Sequence, residues 1–136
     1  MAYTVKVDGK KAFIIALIIA LILKLFFFDF IIAQGHSMEP AIKDGDLLII
    51  SNLRYGIRLP RQLPGHKTYI IRWAQPKVGE VVVFYTPDGE IAVKRCTELI
   101  DGKSFYAQGD NSLASYDSRT YGFIRMESII GKVLGR

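Results

Sequence analysis

A small antiparallel β domain carried behind one amino-terminal membrane helix is the mainly β architecture that this sequence predicts. Three observations predict it. Half of the 136 residues are apolar, and the excess is concentrated in residues 12–32, "AFIIALIIALILKLFFFDFII". Beyond that segment, β-branched and aromatic residues come in short runs separated by Gly, Pro and Asp. No stretch after residue 33 repeats its apolar residues with helical spacing.

The anchor comes first. Residues 12–23 are uninterrupted apolar, Lys24 breaks the run, and Asp29 breaks it again before Phe30 to Ala33 complete it. A spanning helix takes about 20 mostly apolar residues. The window 12–32 supplies them if Lys24 snorkels or meets a partner and Asp29 lies near the interface. A segment that is apolar all round does not suit an amphipathic core helix. Lys6, Lys10 and Lys11 before the run also fit a secretory signal peptide, but no small-x-small cleavage site follows. An uncleaved single-pass anchor is therefore expected. The positive-inside rule puts residues 1–11 in the cytoplasm and residues 33–136 outside an inner or plasma membrane.

The body follows. "DLLIIS" (Asp46 to Ser51) is a strand after an Asp44-Gly45-Asp46 turn, and "TYIIRW" (Thr68 to Trp73) is another. "GEVVVFY" (Gly79 to Tyr85), the turn "TPDG" (Thr86 to Gly89) and "EIAVKRC" (Glu90 to Cys96) read as a hairpin. "KSFYAQ" and "IIGKVLG" add two more strands. Leu53 to His66, with two prolines and two glycines, reads as an irregular excursion.

Composition narrows the function. The net charge is +5, but the lysines and arginines are scattered rather than gathered on one face, which argues against nucleic acid and for a basic surface beside a lipid bilayer. A lone cysteine, Cys96, allows no internal disulfide. The only histidines are His36 and His66, so no metal-ligand spacing occurs, and neither a metal nor another cofactor is expected.

Ser37, in "IIAQGHSMEP", is the candidate nucleophile, and a serine hydroxyl needs a neighbouring base. Adjacent His36 would point to the other side of an extended chain. His66 has no acidic residue nearby in sequence to orient it. Lys94 shares a strand face with Ala92 and Cys96, which offer its amine room and no counter-ion. A desolvated lysine can serve as a base; that face alone also suits a solvent-exposed strand lysine.

Four stretches together resemble the type I signal peptidases, membrane-bound Ser/Lys proteases that remove signal peptides from exported proteins. "GHSMEPAIKDGDLLII" is similar to the family's Ser-Met-x-Pro box and following strand. "KVGEVVVF" resembles its Gly-Asp-[Ile/Val]-Val-Val-Phe strand, with Glu80 where Asp is usual. "IAVKRC" resembles its Lys-Arg box, and "GDNSLASYDSRTYGFI" (Gly109 to Ile124) its long last box. The resemblance implies Ser37 as nucleophile and Lys94 as general base, then acid. It implies Ser115 as a hydrogen-bond partner of the Lys94 amine, the Ser37 N–H as an oxyanion donor, and Met38 packed beside the nucleophile. Asp110, Asp117 and Arg119 would brace the last box. In many members a serine two residues before the nucleophile supplies a second oxyanion donor; here, as in other members, that position is glycine, Gly35, and the hydroxyl is absent. Preproteins bearing signal peptides would be the substrates. A soluble-type Ser/Lys self-cleaving repressor peptidase, or a membrane-tethered β domain that binds peptides without cutting them, are the alternatives.

Overall fold

The computed structural model describes residues 8–59 and 69–136. Helix α1 spans Gly9–Phe27, with the Asp8 carboxylate capping its first turn. Its side chains are apolar on all sides and none is buried. Among the described residues no helix is long and apolar enough to cross a membrane. The helix expected over residues 12–32 thus needs correcting: it ends at Phe27, and its last five residues are strand β1 (Phe28–Ile32). The reason lies in the local pattern. In "FDFII" Asp29 turns inward and Ile31 packs against the core, while Phe28, Phe30 and Ile32 face out, a period of two that suits a strand. Lys10, Lys11 and Lys24 leave only residues 12–23 uninterrupted, about 18 Å of helix.

The expected strands form as β2 (Leu47–Ser51), β4 (Tyr69–Arg72), β5 (Val81–Tyr85), β6 (Ile91–Ile100), β7 (Ser104–Gln108) and β9 (Ile129–Val133). Two short strands are additional, β3 (Gly56–Arg58) inside the excursion and β8 (Ile124–Arg125). One seven-stranded sheet runs β1-β2-β9-β5-β6-β7-β8, with every neighbouring pair antiparallel, and β3 pairs with β4 in a separate ribbon. Residues 60–68, His66 included, lie outside the described residues.

Strand β5 explains the core. All five of its residues are buried, which is why "VVVFY" reads as an unbroken apolar run rather than an alternating one. Val81, Val83 and Tyr85 join Met38, Ile42, Leu48 and Ile130 in one cluster. Val82 and Phe84 join Tyr55, Cys96, Phe105 and Met126 in another, where Phe84 and Phe105 meet edge to face at 5.7 Å. Just before β5, Glu80 ties distant segments together. Its carboxylate accepts hydrogen bonds from the Tyr55 hydroxyl at 2.8 Å, Lys132 Nζ at 3.0 Å and Arg54 at 3.4 Å. Burial pushes its pKa up, but donors including the Lys77 N–H outweigh that and bring it down to about 2.

Candidate active site

Ser37 follows β1 in a turn shaped by hydrogen bonds from downstream. The Ala33 N–H donates to the Asp46 carbonyl at 2.8 Å, and the Gly45 N–H returns to the Ala33 carbonyl at 2.9 Å. Gly35 takes a left-handed φ of 84°, which favours glycine, and its N–H donates to Asp44 Oδ1 at 2.7 Å. The Asp44-Gly45-Asp46 turn therefore fixes the approach to Ser37. Met38, 4% exposed, plugs the chain into the core directly after Ser37. The Ser37 carbonyl accepts the Asn111 N–H at 3.0 Å. Its own N–H donates to no acceptor among the described residues.

Lys94 stands opposite Val82 in the β5–β6 register and is 6% exposed. Its Nζ donates to Ser37 Oγ at 2.6 Å, the one side-chain hydrogen bond it makes among the described residues. Burial lowers the pKa of the amine; the Asp117 carboxylate partly opposes this and the Arg119 guanidinium reinforces it. A neutral amine on the same line would accept the serine proton. His36 is turned away: its Nδ1 lies 2.9 Å from Glu39 Oε1, and that hydrogen bond raises its pKa. Cys96 is fully buried, and burial pushes its thiol up to about 11.

Ser115 differs from the expectation. It makes no hydrogen bond to Lys94; its hydroxyl donates to Asp117 Oδ2 instead. Asp117 is fully buried and gathers that whole region. It also accepts the Gly109 N–H at 2.8 Å and Arg119 Nε at 2.9 Å, and it caps the single-turn helix α2 (Ser118–Tyr121) through the Arg119 N–H. Burial works against its charge, yet these donors win and hold its pKa well below the usual carboxylate range. The serine hydroxyl is thereby drawn to the strongest acceptor in reach. Gly109 sits at the centre: a Cβ there would collide with Ser115 Oγ and the Ser37 carbonyl.

Asp110 braces the site through a residue that sequence reasoning passed over. Arg95 grips it with two hydrogen bonds, 2.8 and 2.7 Å, and donates to the Gly79 carbonyl at 2.8 Å. The available signal was its place beside Lys94: alternation had to aim it away from the lysine's face. An open cleft of about 500 Å³ passes Ser37 and Lys94, walled by Ile31, Ala33, Ile42, Ala92, Val93 and Tyr116. These residues come from β1, β6 and the segments flanking the site, so no local motif announced them.

A half-buried hydroxyl against a desolvated amine, an N–H at the same residue with no acceptor among the described residues, and an open cleft of mixed polar and apolar lining beside them form an arrangement suited to acyl transfer. The family described as "Signal peptidase, peptidase S26" matches residues 7–99 and 92–136. A signal peptidase I of Bacillus caldolyticus is 29% identical over 155 aligned positions, covering 88% of this chain and 84% of that protein. One from Pseudomonas fluorescens is 32% identical over 95% of this chain, which spans only 41% of that longer relative. A third, from Leptolyngbya laminosa, is 24% identical over 95% of the chain and 78% of its own length.

Proposed function

Since the chain belongs to the signal peptidase family, peptidase S26, and is a serine endopeptidase, we propose that it cleaves signal peptides from exported preproteins with a Ser37/Lys94 dyad. The 2.6 Å contact between Lys94 Nζ and Ser37 Oγ carries this reading. The neutral Lys94 amine takes the hydroxyl proton as Ser37 Oγ attacks the scissile carbonyl carbon. The carbonyl oxygen becomes an oxyanion, and the Ser37 N–H donates to it. Collapse breaks the peptide bond, with the Lys94 ammonium giving its proton to the leaving amine. Lys94, neutral again, then deprotonates the water that hydrolyses the acyl ester. Ser115 acts at one remove: it and Gly109 fasten Asp117, whose negative charge lies beside the lysine.

The extended substrate lies in the cleft beside β1 and β6, adding main-chain hydrogen bonds as a strand would. The Ala33, Ile42 and Ala92 side chains in the cleft lining suit the small residues that precede the cut. Membrane attachment through α1 completes the proposal, with residues 1–11 cytoplasmic and the β domain outside. The exposed apolar side chains of α1 between Lys11 and Lys24, none of them buried against the β domain, support it. Lys10 and Lys11 mark the cytoplasmic end, while Lys24 pairs with Asp29 at the other. Cleavage of a preprotein by the purified protein in detergent tests the chemistry. Ser37→Ala and Lys94→Ala should abolish it and His66→Ala should leave it intact. Membrane fractionation of the full chain tests the anchor.

A further inference from the structure

The passage from α1 to β1 contains no connecting residue. Helical backbone ends at Phe27, and Phe28 is already extended, with φ −134° and ψ 145°. The change of direction is clamped from both sides. Lys24 Nζ, in the last turn of α1, lies 4.0 Å from Asp29 Oδ1 on β1. Asp29 is 7% exposed and also accepts the Phe30 N–H at 2.8 Å. The end of α1 also touches the turn Asn52–Arg54 that follows β2. A buried carboxylate is costly unless it is paired, and Lys24 is one of the groups that pair Asp29. From this junction β1 runs in unbroken register with β2 for about 17 Å and delivers the chain to the turn bearing Ser37.

We infer that this loop-free junction, clamped by Lys24 and Asp29, sets the height of Ser37 above the lipid and thereby selects which bond of a membrane-held substrate is cut. A flexible linker would let the nucleophile sample a range of heights. A strand continuing rigidly from the anchor allows one. Asp29 is then a positioning residue that acts through α1 and never touches the substrate. The inference rests on the anchor and protease readings above.

The full chain is reconstituted in phosphatidylethanolamine–phosphatidylglycerol vesicles, with a preprotein in the same bilayer. The variants are Asp29→Asn, the exchange Lys24→Asp with Asp29→Lys, and a Gly-Ser pair inserted between Phe27 and Phe28. A short soluble peptide spanning the cleavage site is assayed in parallel. Peptide kcat/KM should stay within about twofold of wild type throughout. On the preprotein, Asp29→Asn and the insertion should slow cutting about tenfold or spread it over neighbouring bonds, read by mass spectrometry. The charge exchange should restore a single cut. Unchanged preprotein products in the insertion variant would overturn the inference, as would equal losses on peptide and preprotein in Asp29→Asn. A nitroxide at Leu113→Cys, a position 98% exposed, gives a readout free of catalysis. Its depth should shift in the insertion variant, and an unmoved depth would also overturn the inference. Wild-type protein that leaves the short peptide intact would instead remove the protease reading, with the depth measurement still deciding the junction.

Discussion

At the scale of single residues, the role proposed for Lys94 depends on burial, which removes the water that would stabilise its charge. In the unfolded chain this lysine titrates near 10.5; in the folded chain it titrates lower. Between those two values the folded state binds fewer protons, so stability rises with pH through that window. At neutral pH, Lys94→Met should therefore raise the melting temperature while cleavage is lost, a pairing that calorimetry and a preprotein assay check together. Gly109→Ala makes the opposite case. Its methyl group has no space beside Ser115 and the Ser37 carbonyl, so cleavage should fall by about tenfold or more even if the fold survives. Ser37 and Lys94 were legible in the sequence because short boxes carry them. The route of the Ser115 proton was not, since it depends on how many donors converge on Asp117, and only three-dimensional placement decides that.

At the scale of elements, the hairpin of β5 and β6 was legible from two runs of β-branched residues around a Pro-Asp-Gly turn. Strand β1 was not, because it is continuous with an apolar helix and composition does not mark where one period gives way to the other. Glu80 shows what holds the elements to one another. Its stabilising contribution is present above the ordinary carboxyl value of about 4.5 and is lost as pH falls toward about 2. Glu80→Gln should lower stability by about 1–3 kcal/mol at neutral pH. The gap to wild type should close as the pH is lowered through that window, which urea unfolding at stepped pH values measures. Arg95→Lys keeps the charge but loses the two-pronged grip on Asp110. It should reduce kcat several-fold by loosening the loop whose Asn111 N–H holds the Ser37 carbonyl.

At the scale of the whole molecule, the sheet is a frame with Ser37 and Lys94 meeting at one place and an apolar helix leading away from it. Phe28, Phe30, Ile32, Leu47 and Ile49 continue that apolar surface outward from α1 along β1 and β2. The apolar character of the amino-terminal segment was legible in the sequence as a concentration of apolar residues. The pairing of Lys24 with Asp29 was not, because they read as interruptions and become a pair only once helix and strand meet. The central claim is that a neutral Lys94 amine activates Ser37. Its most direct test is kcat/KM for preprotein cleavage as a function of pH, in wild type and Lys94→Ala. Wild type should show one rising limb with its midpoint below the ordinary lysine value, because the base must lose its proton. In Lys94→Ala that limb should vanish and the rate should drop by about 10²-fold or more. A Lys94→Ala enzyme that keeps both its rate and the same rising limb would contradict the account.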